Sequence, residues 1–163
     1  TVRAATREPI YNETLSQVLQ RELERVGAPA WDEADLTLAR DIQRELGVPL
    51  QGLSTAVLPY GPGHGATASS DVGETSAVVP LAELAVATRP LGTPAHHWAQ
   101  TASAGHGLGK HGMLTAARTL RGALLTLLRS PDLVQQAKSE FQRVTAAQPY
   151  QSPLAADARP ESW

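Results

Sequence analysis

The sequence contains no cysteine, and this absence excludes two kinds of site. Neither a disulfide nor a thiolate metal ligand is possible in its 163 residues. Aromatic residues make up only 4%, so we expect a core built mainly from leucine, valine and alanine. No apolar run approaches the roughly 18 residues of a membrane span, and residues 1–6 lack the apolar stretch of a signal peptide. We therefore expect a soluble, cytoplasmic protein that does not bind a membrane.

The charge balance excludes a second class of partner. Charged residues are 18% of the sequence and the formal net charge is -2. Nucleic-acid binding needs a surplus of lysine and arginine on one face to neutralise phosphates, so we expect no nucleic-acid partner. The hydrophobic fraction of 42% is typical of a globular domain, and the length is sufficient for one domain with a core.

Apolar residues at helical spacing predict several helices. Asn12 is a good N-cap for a first helix, which Gly27 ends. A second helix is predicted to begin near Asp32 and to stop at Gly47, and a short helical turn is predicted from Asp71. A last helix is predicted after Ser130, where proline occupies the first helical position.

The strongest helical pattern covers residues 108–129 and has a wide apolar face. This face comprises Met113, Ala116, Ala117, Leu120, Ala123, Leu124, Leu127 and Leu128. Such a face indicates packing in a core or against a second copy rather than a ligand site.

Few strands are predicted. Residues 84–88 read as a short buried strand, and residues 1–6 as the end of another. A single strand cannot satisfy its backbone hydrogen bonds without neighbours. We therefore expect polypeptide that is absent here to complete a sheet.

The five histidines lie close together in the sequence, in or beside glycine-rich loops. They are His64, His96, His97, His106 and His111. Imidazole is a common zinc ligand and the usual proton shuttle near neutral pH, although loops also collect polar residues for no chemical purpose. The chain has neither the His-Glu-x-x-His signature of zinc proteases nor the Gly-x-Ser-x-Gly turn of serine hydrolases.

Asp71 has two possible roles. It sits where a loop turns into a helix, so its carboxylate could orient a histidine or a metal-bound water. Alternatively, Asp71 is an N-cap and Glu74, three residues later, completes a capping box. The two roles are compatible with each other.

Three motifs in order resemble a known family. SSDVGETSAVVP at 69–80, GTPAHHW at 92–98 and KHGMLTAARTL at 110–120 look like the C-terminal region of aminobenzoyl-glutamate utilization protein B-like amidohydrolases. These belong to the two-metal amidohydrolases, with aminoacylases, hippurate hydrolases and auxin-conjugate hydrolases. Residues 7–19 are similar to the segment where that family's inserted lid domain returns to the catalytic domain.

The resemblance implies an α/β fold. It predicts the incomplete C-terminal portion of a catalytic α/β sandwich, helix-rich with few strands. Residues 1–10 would end the inserted lid or dimerisation domain, residues 11–148 would be the C-terminal part of the catalytic domain, and residues 149–163 an extended tail. The complete family enzyme commonly forms a homo-oligomer.

The resemblance also implies a chemistry. Two zinc or manganese ions activate a water that cleaves the amide bond of an N-acyl amino acid or aminobenzoyl-glutamate-type substrate. His96 matches the family's last metal ligand, with His97 as the alternative. Asp71 matches an acidic position that borders the site, and Ser70, Gly92 and Thr93 are expected to border the site as well.

The resemblance leaves the site incomplete. The family's general-base glutamate and other metal ligands are expected in an N-terminal half or partner subunit. We therefore expect this chain alone to be inactive. The alternative is a non-catalytic metal- or partner-binding module derived from the same fold.

Overall fold

The computed structural model describes residues 6–61, 70–147, 149–152 and 154. Within these residues the chain forms six α-helices. They are α1 (Glu13–Val26), α2 (Glu33–Leu46), α3 (Val72–Ser76), α4 (Trp98–Ala104), α5 (Gly107–Arg129) and α6 (Pro131–Thr145). None of the helices in this part of the chain is both long and apolar enough to cross a membrane.

The predicted α/β sandwich is wrong for the described residues. Residues 84–88, predicted as a strand, have no regular structure, and the only β-type pairing described is an isolated parallel bridge between Tyr11 and Leu81. No other described segment forms backbone hydrogen bonds with residues 84–88. An extended segment without a neighbouring strand cannot form a sheet. His64, residues 1–5 and most of the predicted tail lie outside the described residues, and the predicted lid boundary stays a prediction.

The chain divides into two compact units. The first contains the described parts of residues 1–16, 61–83 and 130–163, and the second contains residues 17–60 and 84–129. Helix α1 starts in the first unit and continues into the second.

In the first unit, the start of α1 is held by α6. The Asn12 side-chain oxygen accepts from the Leu15 N–H at 3.1 Å, and its amide nitrogen donates to the carbonyl of Ala137 at 2.9 Å. The backbone N–H groups of Glu13 and Thr14 donate to the Glu140 carboxylate at 2.6 and 3.0 Å. Burial alone raises the pKa of Glu140, but these hydrogen bonds and one from the Thr14 hydroxyl outweigh it, so its pKa is lowered. The predicted N-cap at Asn12 is confirmed, with a second cap supplied from across the unit.

In the second unit, a small core forms between α2, α5 and the loop after α2. Ala39, Leu53 and Leu108 are buried together, and Trp31 packs against them. The Trp31 indole N–H donates to the carbonyl of Ser54 at 2.8 Å. On helix α2 the apolar residues Ala39 and Ile42 are buried, while Leu38 and Leu46 are half-buried.

Apart from Leu108, helix α5 packs through small residues rather than through its leucines. Its buried residues are Leu108, Gly112, Thr115, Thr119, Gly122 and Ala123. A Cβ at Gly112 would lie only 2.5 Å from the Ala87 carbonyl oxygen, and one at Gly122 would clash with the Glu22 carboxylate. Most of the predicted apolar face is exposed: Met113 by 60%, Leu120 by 51%, Leu124 by 58% and Leu128 by 70%. Of the face predicted from the sequence, only Ala123 joins the core.

Candidate functional site

Gln43 positions the loop that leads to the predicted metal ligands. This side chain of α2 is fully buried. Its amide nitrogen donates to the carbonyls of Gly52 at 3.3 Å and Leu91 at 2.9 Å, and its oxygen accepts from the Gly52 N–H at 3.0 Å. Both N–H groups and the oxygen of this buried amide thus have partners, so Gln43 joins two loops to one helix.

Two of the predicted site residues, Gly92 and Thr93, have structural roles in the turn at residues 90–93. Gly92 has a φ of 80°, a conformation that glycine adopts without steric cost. Thr93 is only 9% exposed, and its hydroxyl donates to the carbonyl of Pro90 at 2.8 Å. Both residues shape the turn that precedes the histidines, and neither site role is tested by this geometry.

His96 has an unusual backbone. Among the described residues it is the one non-glycine residue with a positive φ, 54°. That left-handed conformation costs a non-glycine residue about 1–3 kcal/mol and is concentrated at functional sites. The His96 N–H donates to the Gln100 side-chain oxygen at 3.2 Å, while the residue itself is exposed.

His97 has a structural role. It is the N-cap of α4, and its Nδ1 accepts from the Ala99 N–H at 3.4 Å. Its ring lies 5.5 Å from the Trp98 ring. The ring thus caps α4, and the alternative role of His97 as a metal ligand stays a prediction.

The two histidines open onto one surface groove. An open groove of about 540 Å³ is lined by His96, His97, Trp98, Gln100, Thr101 and Ala104. Its described lining contains imidazole, indole, amide and hydroxyl groups but no carboxylate. A catalytic zinc usually has three protein ligands and a water, so these residues fit one part of a metal site rather than a whole one.

Ser70 and Asp71 belong to the first compact unit, whereas His96 belongs to the second. Both Ser70 and Asp71 are exposed. The predicted capping box is wrong: the Asp71 side chain makes no cap hydrogen bond, and the Ser70 hydroxyl accepts from the Val72 N–H at 3.2 Å instead. Glu74 hydrogen bonds to Tyr150, which raises the pKa of that phenol.

A second cluster was not predicted. Asp32, Asp35 and His111 each offer a ligand atom within 4.8 Å of the others, the one such group among the described residues. His111 Nδ1 lies 2.6 Å from an Asp35 carboxylate oxygen, and Asp35 is only 3% exposed. Asp35 and His111 are 76 positions apart, so no local pattern could have paired them.

The cluster is explained by helix capping. Asp32 accepts from the Asp35 N–H at 2.9 Å and Asp35 accepts from the Asp32 N–H at 3.2 Å, which is a capping box at the start of α2. A helix N-terminus carries partial positive charge that favours anions over cations. One oxygen of each carboxylate thus accepts from a backbone N–H of the cap, and His111 joins α5 to the Asp35 oxygen.

The chain is similar in sequence to a known protein. No family model matches the chain, and no solved structure matches it. The chain is 27% identical, over 175 aligned residues and 91% of its length, to a subunit of p-aminobenzoyl-glutamate hydrolase from Escherichia coli (strain K12). The match supports a distant family relationship. It confirms the resemblance predicted from the three motifs, and the chain spans 36% of that hydrolase subunit's length.

Proposed function

We propose that this chain forms part of a hydrolase that cleaves the amide bond of an aminobenzoyl-glutamate-type or N-acyl amino acid substrate. The similarity to the p-aminobenzoyl-glutamate hydrolase subunit supports the reaction class. The relative is named as a subunit, which supports a partner polypeptide for this chain as well. The chain spans 36% of the relative, so further polypeptide would complete the site, and a homo-oligomer would suit the resemblance.

His96 is the residue that we propose to bind the metal, zinc or manganese. The observation that carries this choice is its positive φ of 54° beside the open groove. Strain of this kind persists only where the surrounding structure imposes it. Among the described residues no group hydrogen bonds to the His96 ring, whereas His97 is occupied as a cap.

The metal would supply two things to the reaction: it would activate a water and polarise the amide carbonyl. Within the chain, His96 would hold one coordination position. Trp98, half exposed at 51%, would exclude water from one side of the groove. The remaining ligands, including the second ion's, and the general base would come from the partner polypeptide.

Reconstitution tests the proposal. This chain would be mixed with a separately produced polypeptide equivalent to the rest of the Escherichia coli relative, with manganese or zinc. We expect release of p-aminobenzoate from p-aminobenzoyl-glutamate. His96→Ala should lower the rate by more than about 100-fold, because even outer partners of a metal site cost 10–100-fold when removed.

The matched control is His106→Ala, because His106 is an exposed histidine outside the groove lining and should leave the rate unchanged. His97→Ala should have an intermediate effect through the weakened cap of α4. Absence of amide cleavage with either metal, or full activity of His96→Ala, would contradict the proposal.

A further inference from the structure

The groove beside His96 contains a large aromatic side chain that the described chain leaves half uncovered. Trp98 lines this groove and is 51% exposed. Trp31 in the same unit is different, because it packs against the small core and donates its indole N–H to the carbonyl of Ser54. Indole has a large apolar surface whose contact with water is unfavourable. Trp98 therefore offers apolar surface to a ligand next to the proposed metal ligand.

The Trp98 ring is oriented by its neighbour His97. The two ring centroids lie 5.5 Å apart with a tilt of 46°, within the range of about 4.5–7 Å that favourable aromatic pairs adopt. His97 is itself held in place as the N-cap of α4. A side chain that is already oriented loses little conformational freedom when a ligand binds. The indole is thus a preformed flat surface.

The groove lining suits a neutral group better than an anion. Its six residues, all of them described, include no lysine, arginine, aspartate or glutamate. At the start of α4 the backbone N–H groups of Ala99 and Gln100 both donate to His97. Carboxylates are bound in proteins by arginine, lysine or free backbone N–H groups. The glutamate half of an aminobenzoyl-glutamate-type substrate is therefore a poor match for this groove, whereas its neutral, planar acyl half is a good one.

We propose that Trp98 stacks against the aromatic acyl group of the amide substrate and so selects aromatic over aliphatic acyl groups. The further polypeptide that completes the site would bind the glutamate carboxylates. This inference rests on the proposed function for its choice of substrate, but the binding of the ring depends on the groove alone. Offset stacking of two aromatic rings is favourable beyond the area that it buries, and it is sufficient for a preference of about tenfold.

Two probes, each carrying one half of the substrate, test the proposal on the whole chain. p-Aminobenzamide has the neutral ring, and N-acetylglutamate has the carboxylates without a ring. Nuclear magnetic resonance of the isotope-labelled chain shows the indole N–H signals, and the signal lost in Trp98→Phe belongs to Trp98. We expect p-aminobenzamide to shift the Trp98 signal saturably and to leave that of Trp31 unchanged. N-acetylglutamate should shift neither signal.

Two substitutions separate the ring of Trp98 from its bulk. Trp98→Leu keeps an apolar side chain without a ring, and it should weaken p-aminobenzamide binding about tenfold, measured from the backbone amide signals of α4. Trp98→Phe keeps a ring and should bind within about threefold of the parent. Leu58→Ala is the matched control, since Leu58 is 74% exposed in the same unit but outside the groove lining, and it should leave binding unchanged.

The reconstituted hydrolase tests the selectivity. Trp98→Leu should lower kcat/KM for p-aminobenzoyl-glutamate about tenfold and leave kcat/KM for N-acetylglutamate unchanged, because a methyl group does not stack. An equal fall for both substrates would mean that Trp98 only supports the structure, and it overturns the proposal. If no amide is cleaved at all, the proposed function fails, and the titration of the whole chain still decides this inference.

The further polypeptide is the competing occupant of this surface. If it covers Trp98, Trp98→Leu should prevent association of the two polypeptides in size-exclusion chromatography, while circular dichroism shows the variant as helical as the parent. That result overturns the proposal. So does a Trp98 signal that p-aminobenzamide does not shift, an equal shift with N-acetylglutamate, or equal affinity of the parent and Trp98→Leu for the ring.

Discussion

Helices α2 and α5 contact each other in the same compact unit, yet they use their apolar residues in opposite ways. In α2 the stripe residues Ala39 and Ile42 are buried. In α5 most of the buried residues are glycine and threonine, with Leu108 and Ala123, while Met113 and most of the leucines after it are exposed or half-exposed. The difference shows that an apolar stripe predicts which side of a helix needs covering, but not which polypeptide covers it.

The small residues of α5 explain the contrast. Gly112 and Gly122 allow the Ala87 backbone and the Glu22 side chain to approach the helix closely. The Thr126 hydroxyl also donates to Glu22 at 3.1 Å, and Arg25 lowers the pKa of that carboxyl by its own hydrogen bond. The packed side of α5 is thus chosen by close approach and polar contacts.

The largest expected effect separates two leucines on the same helix. Leu108→Ala removes a fully buried side chain from the core and should lower the free energy of unfolding by about 2–5 kcal/mol. Leu124→Ala, at a position 58% exposed, should change it by less than about 0.5 kcal/mol. Urea unfolding monitored by circular dichroism measures both. Equal losses would mean that the exposed side of α5 is packed within this chain after all.

Substituting valine for a small residue on each side of α5 tests the same difference between its buried and exposed sides. Gly112→Val should cost about 1–3 kcal/mol by overpacking against Ala87 and Thr88. Ala117→Val, on the exposed apolar face, should cost no more than its helix propensity, about 0.7 kcal/mol. The midpoints of thermal unfolding give the ranking, and a Gly112→Val variant as stable as the parent would remove close approach as the explanation.

The cap of α2 gives the next effect. Asp35→Ala should cost about 1–3 kcal/mol, because it removes one half of the capping box and the partner of His111. Asp41→Ala is the control on the same helix: its ion pair with Arg44 is exposed, so we expect less than about 1 kcal/mol. Chemical unfolding of the two variants side by side gives the difference, and equal losses would contradict the cap.

The same pair of variants tests the cluster for a metal. We expect manganese or zinc to leave the unfolding midpoint of the parent unchanged. A midpoint that rises with the metal in the parent but not in Asp35→Ala would show a metal site in place of a cap.

The smallest effect concerns α1, whose start is capped from α6. The pKa of Glu140 is lowered from its ordinary value of 4.5. The stabilisation is therefore present above pH 4.5 and is lost as the pH falls through the lowered value. Because Glu140 is partly exposed, we expect less than about 1 kcal/mol. Glu140→Gln should flatten this acid limb in urea unfolding across roughly pH 3–6, and an unchanged pH dependence would contradict the assignment.

Local signals allowed much of the helical structure to be predicted. Asn12 and Gly27 were predicted to bound α1, and Asp32 and Gly47 to bound α2. In the structure each of these residues directly flanks its helix. The short helix after Asp71 is confirmed as α3. Helix α4 was not predicted, because its seven residues carry no apolar stripe and its cap is a histidine rather than a usual capping residue.

Less of the candidate site could be predicted. His96 and His97 are neighbours in one loop, and their order in the sequence could not distinguish them. The two residues differ in the φ angle of His96 and in the cap that His97 forms on α4. Gln100 accepts from the His96 N–H, and Gln43 donates to the carbonyl of Leu91 in the same loop. The Asp35–His111 contact joins residues from two helices and has no local signature.

By itself, the sequence determined the helix limits, the absence of thiol chemistry and the resemblance to an amidohydrolase subunit, because these rest on neighbouring residues and their order. Only the tertiary structure decided that the described residues form no sheet, that His97 is a cap, and that α5 buries its glycines and threonines. Those outcomes depend on which distant atoms come within a few ångströms of each backbone. Periodicity along one helix carries no information about such contacts.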